Sequence, residues 1–106
     1  MPLFRSSTPP PSLPSDPNVL RRHIVLYGRV QGVGLRFRVS TLAKRLGLTG
    51  WVKNEDDGSV SMELQGTAEQ MDQLFAELRQ YPYIRIQRIQ QEQISLEAER
   101  GFRVQY

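Results

Sequence analysis

Residues 22–47 read RHIVLYGRVQGVGLRFRVSTLAKRLG, which parses as a strand, a glycine-rich loop and a helix in succession. The first seven residues alternate and are rich in β-branched side chains, the period-two signature of a strand. From Leu35 the period changes. Leu35, Val39, Leu42 and Leu46 fall four, three and four apart, with Ala43 on the same face, and Gly47 supplies a C-terminal stop. Between them lies GRVQGVGLR, residues 28–36, with three glycines in nine residues and an arginine where the helix begins. A helix N-terminus carries partial positive charge, so a cation there is disfavoured by about a few tenths of a kcal/mol. An anion held between the two removes that objection. Amides of a glycine-rich turn and the unpaired donors of a first helical turn can converge on such an anion. Gly32 and Gly34 tolerate positive φ, and Arg36 can close the cradle with a bidentate fork. The other reading of the same residues is a tight strand-to-helix connection with a solvated arginine.

The rest of the chain supplies the frame. LTGWVKN (48–54) returns to a strand, EDDG (55–58) is hairpin turn chemistry, and Val60, Met62 and Leu64 alternate on a third strand. Thr67 with Gln70 forms a capping box ahead of Met71, Leu74, Phe75 and Leu78, a second amphipathic helix that Tyr81-Pro82 ends. YIRIQRI (83–89) reads as a fourth strand and GFRVQY (101–106) as a short last one. The order β-α-β-β-α-β predicts an α+β fold, the ferredoxin-like split β-α-β sandwich, with an antiparallel sheet and both helices on one face. That fold hosts many functions, so function has to come from the site.

Composition narrows the field. The chain has 106 residues, enough for one domain. Residues 1–18 hold six of the seven prolines and no apolar period, so they are expected to form a disordered Pro/Ser-rich tail before a folded domain at 19–106. No window approaches the roughly 20 apolar residues of a membrane span, and the tail lacks the apolar stretch of a secretory signal. A cytoplasmic protein with no membrane partner is expected, and a monomer, since no long apolar surface stripe is evident. With no cysteine, disulfide and thiolate chemistry are excluded, and the single histidine, His23, leaves no multi-histidine metal site. Charge is lopsided. Residues 21–53 carry eight basic and no acidic side chains, whereas 54–106 carry five basic and ten acidic ones. The first half is built to sit near an anion, whether phosphate, carboxylate or nucleic acid.

Asn54 ends the second strand. As an asparagine opening NEDDG it is a ready turn former; beside the start of the first helix, its amide can also hold a water against a bound phosphate. Glu55, Asp56 and Asp57 read as a solvated turn rather than a metal site. His23 and Trp51 read as structural. A nucleic-acid-binding sheet is the rival class, but the RNA-recognition signature is absent and the candidate third strand, SVSMELQ, carries no aromatic residue.

LYGRVQGVGLR (26–36) followed by GWVKNEDDGSVSMELQG (50–66) resembles the two signature segments of the acylphosphatases, and the likeness runs from about His23 to the terminal FRVQY. The resemblance implies a ferredoxin-like enzyme that hydrolyses the carboxyl–phosphate bond of small-molecule acyl phosphates, with no metal, no cofactor and no nucleic-acid partner. It implies that Arg36 binds phosphate and Asn54 orients the attacking water. The amides of Gln31, Gly32, Val33, Gly34 and Leu35 would complete the cradle. Leu35 departs from the family, in which an aromatic residue or methionine is usual at that position. The alternative is a non-catalytic ferredoxin-like module that binds an anion or RNA.

Overall fold

The computed structural model describes residues 8–106; the first seven residues of the expected tail lie outside them. Seven elements follow in order: β1 (Leu20–Arg29), α1 (Leu35–Leu46), β2 (Thr49–Asn54), β3 (Val60–Gly66), α2 (Ala68–Leu78), β4 (Arg85–Ile94) and β5 (Phe102–Gln105). The sheet order is β4-β1-β3-β2-β5. Its first four strands are antiparallel neighbours, as the split β-α-β reading requires, while β5 joins β2 in parallel and makes the sheet mixed. Alternation along the inner strands turns Ile24, Leu26, Val52, Met62 and Leu64 to one face, all fully buried with Val39, Ala43, Met71 and Leu74 of the two helices. No helix among the described residues is long and apolar enough to cross a membrane.

Both helix ends behave as the residues dictate. Gly47 closes α1 in a left-handed conformation. The Thr67 hydroxyl accepts from the Gln70 amide while the Gln70 side chain accepts from the Thr67 amide, completing the capping box. Gln70 also donates to the Leu46 carbonyl at 2.7 Å, so one side chain starts α2 and ties it to the end of α1.

Two features differ from the sequence reading. β4 runs to Ile94, five residues past the predicted end, because QQEQ continues the pairing with β1 at an exposed edge where no apolar alternation is needed. Arg21, counted with the anion-facing cations, is instead fully buried. Its Nε donates to Glu63 at 2.9 Å and lies 3.2 Å from Glu97, and its Nη1 donates to Gln65 at 3.3 Å and to Glu99. Glu97 and Gln65 add a reciprocal pair of bonds, at 2.8 and 2.9 Å, between backbone and side-chain amide. The connection from β4 to β5 is thereby pinned over β1 and β3. It reaches β2 where the Gly50 amide donates to Gly101 at 3.2 Å.

Burial works against the charge of Arg21, but Glu99 and Glu63 outweigh it and raise its pKa further. Burial would likewise raise the Glu63 carboxyl, yet Arg21 and His23, 3.1 Å from its second oxygen, hold it below the ordinary glutamate value. A depressed carboxyl pKa contributes stability that is present above the unfolded value and disappears as pH falls through the folded one. Stability should therefore drop below about pH 4, and the drop should be shallower in Glu63→Gln. Arg21→Ala should cost about 3 kcal/mol in a urea titration, the scale for removing one side of a buried ion pair. Unchanged stability in that variant would mean that the carboxylates do not hold the crossover.

Candidate active site

The loop from β1 into α1 is shaped by its glycines. Gly32 and Gly34 sit at φ 72° and 76°, left-handed values that side chains with a Cβ resist. A Cβ added at either meets nothing within 4 Å, so the demand is on backbone conformation rather than on space. Gly34 is also the N-cap of α1. It brings no capping side chain, and the first turn of α1 contains no acidic residue. The opening amides of the helix therefore have no side-chain acceptor of their own, at the positive end of the helix dipole.

Those amides border a pocket of about 280 Å³. Gly32, Gly34, Leu35, Arg36 and Asn54 line it together, although Asn54 comes from the end of β2. The topology makes the meeting: β2 emerges beside α1, and its register against β3 sets Asn54 opposite Val60 at the mouth of the hairpin. Among the described residues the Asn54 side-chain amide makes no hydrogen bond. Arg36 donates through Nη1 to the Gln105 carbonyl at 3.2 Å and lies 4.9 Å from the centre of the Tyr106 ring. The last strand and the residue that follows it thus position the arginine through a carbonyl and a ring.

Two of the residues whose backbone amides were expected in the cradle have side chains engaged elsewhere. The Gln31 side chain turns away from the pocket and donates to the carbonyls of Glu55 and Ser59 at 2.7 and 2.9 Å, bracing the loop against the hairpin that carries Asn54. Val33 packs against the core. Leu35 is 1% exposed, so it fills the core beneath the loop while bordering the pocket. The hairpin acids are engaged locally. Asp57 accepts from the Ser59 hydroxyl and amide, which hold its carboxyl below the usual range, and Glu55 accepts from Ser61. No group of three or more His, Asp or Glu suited to a metal occurs among the described residues.

The remaining walls were not anticipated: Val30, Phe37, Ser40, Val104 and Tyr106. Ser40 was within reach, since it lies four residues, one helical turn, after Arg36 on the same face. Val104 and Tyr106 carried no local signal, because only the placement of β5 brings them to the loop.

The arrangement is a small pocket with a guanidinium, free backbone donors and a carboxamide that can both donate and accept. It suits a tetrahedral anion with a water beside it. Known proteins resemble this chain along most of its length. The family model described as Acylphosphatase matches residues 22–104. An acylphosphatase from Bifidobacterium longum is 49% identical over 61 residues, covering 58% of this chain and 63% of that protein. One from Thermococcus kodakarensis is 38% identical over 86 residues, 80% of this chain and 94% of that protein. The crystal structure of acylphosphatase from Bacillus subtilis superposes with a TM-score of 0.75 at 34% identity, over 82% of this chain and 99% of that one.

The brace from Gln31 can be tested by itself. Both carbonyls it bonds keep a second partner, because the Glu55 amide donates to Ser59 and the Gly58 amide to Glu55. Gln31→Ala should therefore orphan nothing and cost only about 1–2 kcal/mol of unfolding free energy, the net worth of two hydrogen bonds. A loss of more than about 3 kcal/mol would assign the residue a larger structural part than these bonds explain.

Proposed function

This chain belongs to the acylphosphatase family, and we propose that its pocket hydrolyses acyl phosphates by holding the phosphate at the β1–α1 loop while Asn54 presents the water. The observation that carries this reading is the convergence of Arg36 and Asn54, from separate elements, on the one pocket bordered by Gly32 and Gly34. Loop amides and the Arg36 fork neutralise the phosphate oxygens. The contacts of Arg36 with Gln105 and Tyr106 keep that fork from swinging into solvent.

In the reaction, the water oxygen bonds to phosphorus as the bridging P–O bond breaks, and the bonding pair leaves with the carboxylate. A carboxylate is a weak base, so no strong general acid is required. The water's proton passes to a phosphate oxygen or to solvent. The transition state spreads charge over the equatorial oxygens. Alignment by the Asn54 amide and charge neutralisation by fixed donors can then supply most of the acceleration. No step calls for a metal or cofactor. We place the enzyme in the cytoplasm, acting as a monomer on small molecules. The RNA-binding alternative fits the sheet poorly: the open face of central β3 presents Ser61, Glu63 and Gln65, and Glu63 is already engaged by Arg21 and His23.

Release of phosphate from acetyl phosphate, with chelator present, tests the reading. Arg36→Ala should abolish turnover and inhibition by inorganic phosphate together. Asn54→Ala should keep that inhibition while losing about two or more orders of magnitude in kcat, the scale for a preorganised polar contact. Normal turnover in Asn54→Ala would refute the water-positioning role. A folded wild-type protein without turnover would leave an anion-binding domain.

A further inference from the structure

The pocket has a side that phosphate chemistry does not use. Past Arg36 and Asn54 its wall is made by Phe37, Ser40, Val104 and Tyr106. Phe37 is 67% exposed and Tyr106 97%, and both border the same opening. A single exposed aromatic side chain means little, but two at the lip of one pocket form a surface that gains by being covered. Among the described residues the Phe37 ring meets no other aromatic ring; its one ring contact is the Arg38 guanidinium, 6.0 Å from the centroid. Packing of the fold therefore does not account for it. Ser40 is 8% exposed.

Resting on the reading that this pocket takes an acyl phosphate, we infer that Phe37 is a specificity-determining residue. Its ring covers the acyl group and favours aromatic and longer apolar acyl phosphates over acetyl phosphate. The placement follows from the chain itself. With the phosphate held by the loop and Arg36, the acyl group has to leave toward the open side, and the residue after Arg36 stands there. The carbonyl carbon lies one bridging oxygen from phosphorus, so the body of the acyl group extends beyond the cradle toward the remaining walls. Phe37 and Tyr106 line the same opening there, and Val104, also in its wall, packs against the core.

The experiment compares kcat/KM for benzoyl phosphate and acetyl phosphate in the wild type, Phe37→Ala and Phe37→Leu. At 67% exposure the side chain can be cut without threatening the fold. The benzoyl-to-acetyl ratio should fall about tenfold in Phe37→Ala, chiefly through KM, which is the low end of what apolar pocket contacts discriminate. Phe37→Leu should recover part of it. The inhibition constant of inorganic phosphate, which has no acyl group, should stay within about twofold, since that contact set excludes Phe37. A ratio that moves less than twofold in Phe37→Ala, with both substrates still hydrolysed, would overturn the acyl contact and leave the hydrolase reading standing. So would a phosphate inhibition constant that shifts in step with the ratio, because Phe37 would then be acting on the cradle. Failure of the wild type to hydrolyse either substrate would overturn the hydrolase reading, and this inference with it.

Discussion

A single buried guanidinium organises the far end of this molecule. Arg21 lies on the face of the sheet that the helices leave open, where a cation would ordinarily point into water. Three carboxylates close over it, two of them from the segment joining β4 to β5. The attraction has a defined job. β4 and β5 occupy opposite edges of the sheet, so the chain has to cross every strand between them. Each stage of the crossing is fastened, first at Arg21 on β1, then at Gln65 on β3, then at Gly50 on β2. An unpaired charge here would cost several kcal/mol, which is why the cage is complete rather than partial.

What the crossing delivers is β5, and with β5 the support of Arg36. The pocket is thus built from three sources: a loop shaped by glycines with left-handed φ, a carboxamide at a strand end, and a last strand that holds the arginine from behind. Gln31 links the first two by bonding the hairpin backbone, and Gln105 with Tyr106 links the third. Polar side chains that line the pocket are few. Most of the polar ones around them serve to fix the few in place.

How much of this the sequence disclosed depended on the range of the signal. The heptad-like spacing of Leu35, Val39, Leu42 and Leu46, the capping pair Thr67 and Gln70 and the alternation of Val60, Met62 and Leu64 are local patterns, and each element is where its pattern placed it. The loop with Arg36 and the strand-ending Asn54 stood out through the resemblance to acylphosphatases, since the residues alone also allowed a tight connection and a turn; the structure brings both to one pocket. Arg21 did not stand out. Its partners lie 42 and 78 positions further on, and a lone arginine among seven other cations looks like a surface residue. The polar run Gln90–Gln93 hid the second half of β4, because an exposed edge strand needs no apolar face. The side chain of Gln31 was credited only with its backbone, since nothing in the sequence says that the hairpin turn lies beside it.

The strand order carries a further consequence, for the way the chain acquires its structure. β1 pairs with β3 and β4 rather than with β2, its neighbour in sequence, and the contacts that fix Arg36 and Arg21 close loops of 69 and 78 residues. Loop-closure entropy has to be met before such contacts return anything, so folding should be slow for a domain of this size, in the range of chains dominated by non-local pairings. The helices and the β2–β3 hairpin can form early from local signals. The pocket cannot, because its arginine is braced only when the last crossover has docked. Partly folded forms of this chain would have secondary structure and no working site, and recovery of activity on refolding would follow closure of the whole sheet rather than formation of any one element.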